Sequence, residues 1–517
     1  MKIMKKIFNI TTLIVIISTV FSTSCKRSFL EVPPQGVLTS EQALIDPVAA
    51  DKLVGGVYST LYLQGTVGLK FAIAGDVTSD NSDKGSVESD PGFDGVFLDA
   101  FTYTPNTAIF NDLWVDNYFG ISRANKTLGI LNSGTLEETK KNQLIGEVRF
   151  IRALLYFNLV REFGGVVKLI DTPDPAQAKG DAYQTRSTAA EIYQVIVDDL
   201  KFGVDNLPAK GENGAVVGRA TKGAAQGLLS KVYLYQENWQ GAYDMSLAVM
   251  NSNKYDLGSN YAEVFRQVGA NNIESIFEVQ TGNFASQTTG GISCDAISKN
   301  YSNFQGPRGS FGNQTVAGLT YTGGDLGFGL NTPSANLAAA YPAGDVRRAG
   351  TIIFTSETAP TTLWDGFVLP ARPLVVNERY NYKGYHSPFL EANGCNGIND
   401  KDNKPKNIRI LRFAEVLLIN AEAATHIGQD ASAPLRRVRS RAGLLTTSST
   451  VNDIWNERRL ELAMEGDRFF DLVRTKQASS VMNALGKPFI TGKNEVFPIP
   501  QQQRDFSGGR LAQNPNY

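Results

Sequence analysis

The stretch EVRFIRALLYFNLVREFGG, residues 147–165, decides the class of fold. From Phe150 to Val160 almost every position is apolar, which reads as a helix buried nearly all round and not as one with a single wet face. Gly164-Gly165 closes it, because glycine adopts a left-handed C-cap at little cost. With its polar lead-in the helix is predicted over Glu138–Phe163. A helix buried on all sides needs other helices around it, and the flanking sequence supplies them.

Upstream, Trp114, Tyr118, Ile121, Ala124 and Leu128 recur by three and four, predicting an amphipathic helix over about 107–131. A first helical region is predicted over 41–63. The Gly- and Asp-rich stretch 75–99 between them is predicted to be irregular. Downstream, Ser187 is placed to cap a helix that runs to Leu207-Pro208. The spans 220–236 and 239–251 read as two helices joined by a very short turn at Glu237-Asn238, the unit of a tetratricopeptide-like array. Small Ser230 and Ala242 beside Tyr233, Tyr235 and Trp239 suit close helix packing. Between about 254 and 407 helical periodicity fades and Gly, Thr, Asn, Ser and aromatic residues dominate, so long loops are expected there. Helices resume over 408–427, 434–444 and 452–474. The expected fold is therefore mainly α: tetratricopeptide-like helix pairs in a single α-superhelical domain, 41–517, with a loop-rich insertion at about 254–407.

The amino terminus carries an address. Met1–Lys6 is basic, Ile7–Phe21 is apolar apart from Asn9, Thr11, Thr12, Ser18 and Thr19, and Ser22-Thr23-Ser24 leads into Cys25. This reads as a signal peptide over 1–24, too short for a stable spanning helix. A cysteine after small residues at a cleavage point is similar to a bacterial lipoprotein signal, although Ser22 stands where Leu is usual. On that reading Cys25 is acylated, residues 25–40 are a tether with a Pro-Pro step, and two or three acyl chains anchor the protein.

Of the 517 residues, 50 are basic and 51 acidic. Without the first 24, which hold Lys2, Lys5 and Lys6, the balance is 47 against 51. No basic stripe is present to displace counterions from a phosphate backbone, so no nucleic-acid partner is expected. Of the three cysteines only Cys294 and Cys395 remain beyond the anchor. They are no disulfide framework, although an oxidising compartment permits one bond between them.

Seven blocks carry a family likeness: FLEVPPQ at 29–35, EVRFIRALLYFNLVREFGGV at 147–166, RATKGAAQGLLSKVYLY at 219–235, IRILRFAEVLLINAEAA at 408–424, RSRAGL at 439–444, ERRLELAMEGDRFFDLVR at 457–474, and EVFPIP with QNPNY at 495–517. In this order behind a lipoprotein signal, the chain resembles the SusD/RagB family of Bacteroidetes outer-membrane nutrient-binding lipoproteins. The resemblance implies a non-enzymatic, lipid-anchored protein on the outer membrane, facing the outside. It implies a glycan ligand and a SusC-like TonB-dependent transporter over which the chain sits as a lid. A two-plus-two assembly is a further implication. An oligopeptide cargo is the alternative within the same architecture.

The charges of the 457–474 block fall three or four apart, Glu457, Glu461 and Glu465 with Arg468, and Asp467 with Asp471, which reads as buried acids paired with arginine fixing helix packing. A carboxylate pair for glycoside hydrolysis is the other reading; the interleaved arginines, which would hold both acids ionised, speak against it. The two histidines, His386 and His426, lie far apart, and no zinc, phosphate-loop or serine-nucleophile motif is present. Asp80–Gly85 and Asp400–Asp402 hint at calcium loops but carry Pro91 and Leu411 where a bidentate acid is needed. No cofactor or metal is expected. For a sugar, which offers an apolar ring face and directional hydroxyls, the candidate residues lie in the 75–99 and 281–390 stretches. They are the aromatics Phe93, Tyr301, Phe304, Tyr321 and Trp364, with Asp80, Asn81 and Asn303 as polar partners. Trp114 and Trp239 fall on helical faces and are read as core.

Overall fold

The computed structural model describes residues 44–174, 176–281, 296–391, 393, 397–399 and 404–517. Cys25 and its tether, both cysteines of the 294–395 pair and the Asp400–Asp402 segment lie outside these residues. The helices that build the body are α1 Pro47–Tyr58, α2 Leu69–Val77, α3 Ala108–Ser133, α4 Glu138–Phe163, α5 Ala189–Asn206, α6 Lys222–Tyr235, α7 Trp239–Asn251, α8 Phe413–His426, α9 Ser432–Arg441, α10 Val451–Glu461 and α11 Arg468–Arg474. Each packs on the next in a continuous run from α3 through α8, and α8 also carries α9 and α10. Among the described residues no helix is long and apolar enough to cross a membrane.

Helix α4 is the axis of this stack. From Leu144 to Phe163 every residue except Arg149 is buried. Three charges on it are met by the elements packed there. Arg152 makes a bidentate pair with Asp199 of α5, at 2.7 and 2.8 Å. Glu147 accepts from the Tyr58 hydroxyl of α1 at 2.9 Å and from Arg219 at 2.5 Å. Arg161 reaches Asp467 at 2.7 Å. A buried charge without such a partner would cost several kcal/mol, so these pairs specify which helix sits on which side. Gly164 ends α4 at φ +73°.

The chain leaves the helical stack after α7 and returns at α8. The excursion, joined by one strand from the 75–99 stretch, is a lobe that among the described residues holds five small antiparallel pairs and short helices. Strands β1 Ser82–Gly85, β2 Ser275–Val279, β3 Gln314–Val316, β4 Leu319–Tyr321, β5 Leu330–Pro333, β6 Ile352–Phe354, β7 Thr361–Thr362, β8 Val368–Leu369, β9 Arg379–Asn381 and β10 Ile408–Arg412 pair as β1 with β5, β2 with β10, β3 with β4, β6 with β9 and β7 with β8. The lobe has an apolar cluster of its own, around Phe311, Tyr321, Phe367, Tyr380 and Tyr385.

Several expectations are corrected. The start of the 408–427 span is strand β10, not helix: Ile408 pairs with Val279 and Arg412 with Ser275, and the helix begins only at Phe413. The predicted helix over 452–474 is two helices. Met464 and Gly466 turn the chain at φ +64° and +84°, and Gly75 of α2 lies so close that a Cβ there would stand 1.9 Å from the Gly466 carbonyl oxygen. Thr188 caps α5, not Ser187; its side chain and that of Glu191 form a reciprocal capping box. The 75–99 stretch is not wholly irregular, since it holds the end of α2, strand β1 and a short helix at Gly95–Asp99.

The turn between α10 and α11 feeds a buried ionic lattice. Arg412 contacts Glu274 at 2.5 Å, Glu461 at 3.0 Å and Glu465 at 2.7 Å. Arg441 joins Glu274 and Glu461 at 2.7 and 2.5 Å, and Arg347 joins Glu457 and Glu461 at 2.5 and 3.2 Å. Lys383 of the lobe reaches Glu465 at 2.6 Å. Burial pushes the Glu461 carboxyl up, but Arg441, Arg412 and Arg347 together hold it well below the usual carboxylate range. Asp471, beside Arg458 and Arg474, is held down in the same way against its burial.

Glu461→Gln leaves three guanidinium groups short of one buried charge, so a loss of about 3–5 kcal/mol is expected, read as a lowered melting temperature with ligand affinity unchanged. Because the folded pKa of Glu461 lies below its unfolded value, its contribution is complete above about pH 4.3. It is lost as pH falls towards the folded value. The wild-type melting temperature should therefore drop steeply below about pH 4 and that of the variant less steeply. An unchanged melting temperature for Glu461→Gln would show that the lattice does not hold the fold.

Candidate functional site

Trp364 is the one predicted binding aromatic with an indole open to solvent: 42% of the residue is exposed. It sits at the tip of the β7–β8 hairpin, where the chain must reverse within Leu363–Phe367. The Leu363 amide donates to the Phe367 carbonyl at 2.8 Å, and Gly366 supplies φ +84°. The next residue anchors the turn from below. Asp365 is 2% exposed, and its carboxylate accepts from the Tyr385 hydroxyl at 2.6 Å and from the Phe367 amide at 3.1 Å. With Asp365 and Phe367 drawn into the lobe core, the intervening geometry holds Trp364 outward.

The indole is supported from behind. The Arg266 guanidinium lies 5.4 Å from its centroid and 4.4 Å from that of Tyr382. Arg266 is 3% exposed, donates to the carbonyls of Tyr385 (2.8 Å) and Tyr382, and stands 3.6 Å from Glu391. A cation over one π-face is worth about 0.5–2 kcal/mol and fixes the ring's orientation. The result is a flat apolar surface with little rotamer freedom, which suits stacking against a ring.

The other candidates are distributed differently. Tyr321 is fully buried; its hydroxyl donates to the Asp325 carbonyl at 2.8 Å, and its ring meets Phe367 edge-on at 5.6 Å. It therefore belongs to the core beneath the hairpin. Asp80 is 2% exposed and held by Arg468 at 2.7 Å and Arg459 at 3.0 Å. Burial raises its pKa, but Arg468 and then Arg459 bring it below the usual range. Asn81, fully buried, accepts from Arg459 at 2.9 Å. Asn303 is buried, and its backbone carbonyl accepts from the Phe328 amide. These four are not on a surface a ligand reaches in this structure. Phe93 and Phe304 are brought together, with centroids 4.7 Å apart, and Phe304 stacks on Phe328 at 4.7 Å. Both rings are half-buried and Lys70 covers Phe93, so they pin the 75–99 stretch to the lobe and lie apart from Trp364. Tyr301 lines a small internal cavity of about 40 Å³ beside Arg161, Lys231 and Asp467.

Arg266, Tyr382 and Asp365 escape a reading of the sequence for ring-stacking residues. The only signal for them is the Trp-Asp-Gly turn at 364–366, in which the acid anchors and the glycine reverses the chain. Trp114 is core as expected, at 4% exposure. Trp239 is half-buried and stacks flat on His426, 3.8 Å between centroids, so His426 serves packing as well as the end of α8. Burial pushes His386 down to about 3, leaving a neutral imidazole at ordinary pH. Among the described residues no group of three or more His, Cys, Asp or Glu could hold a metal ion.

Replacing Trp364 with Phe is expected to remove most of the iodide-quenchable tryptophan emission without moving the melting temperature. Undiminished quenching in the variant would contradict the exposed position of the indole.

Comparisons with known proteins extend the picture beyond one hairpin. Residues 28–234 match a family described as "Starch-binding associating with outer membrane", and residues 274–517 match the SusD family. A SusD-like protein of Bacteroides ovatus is 27% identical over 409 residues, 70% of this chain and 64% of its own length. SusD-like protein P2 of Formosa agariphila is 26% identical over 99% of this chain and all of its own. A solved structure described as a laminarin binding SusD-like protein superposes with a TM-score of 0.74 at 28% identity, covering 91% of this chain and 99% of that one. Surface glycan-binding protein A from Bacteroides thetaiotaomicron, solved with laminarihexaose, superposes at 0.72 with 22% identity over 92% of this chain and all of its own, a likeness of fold. With residues 28–234 and 274–517 both matched, and the fold shared with a solved SusD-like protein over 91% of the chain, this chain belongs to the SusD/RagB family.

Proposed function

We propose that this protein is a glycan-binding lipoprotein of the outer-membrane surface that captures an oligosaccharide for a transporter and does not cleave it. The observation that carries the reading is Trp364, an exposed indole fixed on a buried arginine at the tip of a core-anchored hairpin. A pyranose ring presents an apolar face that such a surface stacks against. The laminarin-binding relative, at 28% identity, supports a ligand of the laminarin class. Acylation of Cys25 would tether the chain to the membrane, and a SusC-like TonB-dependent transporter is the partner this family membership supports. Capture would shift the lid between open and closed populations by the difference in ligand affinity of the two.

Hydrolysis by the acids of the 457–474 block is disfavoured by their state. Glu461, Asp467 and Asp471 are buried and Glu465 is partly so, and neighbouring arginines and lysines lower their pKa against the cost of burial. Burial pushes Glu457 up instead, but it is 1% exposed and held by Arg347 and Arg439. None of these is a proton donor within reach of a glycosidic oxygen.

The test is titration of the purified chain in detergent with laminarin, laminarihexaose and a peptide mixture, with product analysis of the same samples. Saturable glycan binding without breakdown is expected, and Trp364→Ala should weaken it about tenfold, or ~1.4 kcal/mol. Full affinity in the Trp364→Ala variant, binding of peptides alone, or the appearance of shorter sugars would each contradict the reading.

A further inference from the structure

A second concave surface lies on the helical stack, built from segments that contribute nothing to the Trp364 hairpin. It is a groove of about 490 Å³ between α3, the 167–184 segment and the chain around 503–511, within the range of ligand sites. Its floor is rigid. Trp114 and Tyr118 of α3 pack with centroids 5.0 Å apart, and the Tyr118 hydroxyl donates to the Val167 carbonyl at 2.8 Å. Its rim is aromatic and wet: Phe119 is 49% exposed and Phe506 73%.

Phe119 also has an arginine against its ring, although Arg123 is exposed where Arg266 is buried. The Arg123 guanidinium lies 5.1 Å from its centroid, and Arg123 is itself held by the Gly56 carbonyl at 2.9 Å and the Ser59 hydroxyl at 3.1 Å. An arginine tied to the backbone thus supports one face of an exposed ring.

The polar groups of the groove narrow the ligand class. Gln184 donates through Nε2 to the Ala178 carbonyl at 3.0 Å, and Gln503 donates through Nε2 to Asn111 Oδ1 at 2.8 Å. Each amide keeps its oxygen as an acceptor and a second N–H as a donor, the pair of functions that a sugar hydroxyl matches. Not one lining residue carries a formal charge. A charged peptide terminus or a phosphate would therefore find no counter-charge among the lining residues, the Arg123 guanidinium being engaged with the Phe119 ring, Gly56 and Ser59. A purely apolar ligand would strip water from the glutamine amides without replacing it. An uncharged ring with an apolar face and outward hydroxyls satisfies both constraints.

We propose that this groove is a second glycan site, taking a neutral oligosaccharide through Phe119 and Phe506 independently of Trp364. The experiment is calorimetric titration of laminarihexaose into the purified chain in detergent, for wild type, Trp364→Ala, Phe506→Ala and the double variant, with light scattering on the same samples. Both rings are exposed, so the variants should fold; the melting temperature checks this, and Phe119→Leu serves as a second groove variant. The expected result is binding that survives Trp364→Ala and is weakened about fivefold to tenfold further by Phe506→Ala. Binding abolished by Trp364→Ala and unaffected by either groove variant would overturn the second site and leave the Trp364 reading standing. Binding lost in the groove variants alone would support the groove and overturn Trp364 as the platform. A dimer dispersed by Phe506→Ala, with no change in sugar binding, would assign the groove to a second copy of this chain and overturn the proposal. No binding by any form would overturn both readings.

Discussion

The structure depends on a few buried arginines that sit where the chain leaves and re-enters its helical stack. Arg412 ends strand β10 and starts α8, and through Glu274, Glu461 and Glu465 it joins the strand that leaves the stack, the helix α10 and the turn that follows it. Lys383 and Arg347 bring the lobe to the same acids. Taking so many charges out of water is expensive, and Coulombic attraction offsets the cost only with good geometry and several partners per charge. An arginine fork suits that condition, because its planar donors are preorganised to meet two acids at once. The lattice therefore fixes position more than it adds stability. A lobe with only small two-stranded pairs and a minor apolar cluster would otherwise have little to set its orientation on the stack.

Much of this scaffold is legible in the sequence, because helical periodicity is a local signal. The apolar run of α4, the short turn between α6 and α7, and the fading of periodicity after Lys254 all report directly on what forms. Errors fall where local and tertiary signals compete. The residues Ile408–Arg412 are continuous with a helical pattern, yet pairing with Ser275–Val279 makes them a strand. The charges of 457–474 keep helical spacing across a break imposed by the close approach of Gly75 to Gly466. No periodicity argument detects a contact between residues so far apart in sequence.

The candidate binding residues are less legible for a related reason. An aromatic residue in a loop either pins the loop or faces solvent, and the choice is made by its neighbours in space. Tyr321 and Trp364 look alike in the sequence, but one is drawn under Phe367 and the other is held out by the Asp365–Tyr385 hydrogen bond. Asp80 and Asn81, polar residues in a glycine-rich stretch, looked suited to a sugar's hydroxyls; Arg459 and Arg468, nearly four hundred residues away, engage them instead. The same device recurs at both exposed platforms: Arg266 under Trp364 and Arg123 under Phe119. Arg266 is buried and tied to two backbone carbonyls, whereas Arg123 is exposed and tied to the Gly56 carbonyl and the Ser59 hydroxyl, so the Trp364 ring is the better preorganised of the two.

On the function proposed above, a sugar ring is received on an indole already in place. A crystal structure of the chain with laminarihexaose tests this most directly. A glucose ring lying flat on the face of Trp364 opposite Arg266, with the hairpin unmoved, is the predicted result. An ordered oligosaccharide elsewhere on the protein, with the Trp364 indole left bare, would contradict it.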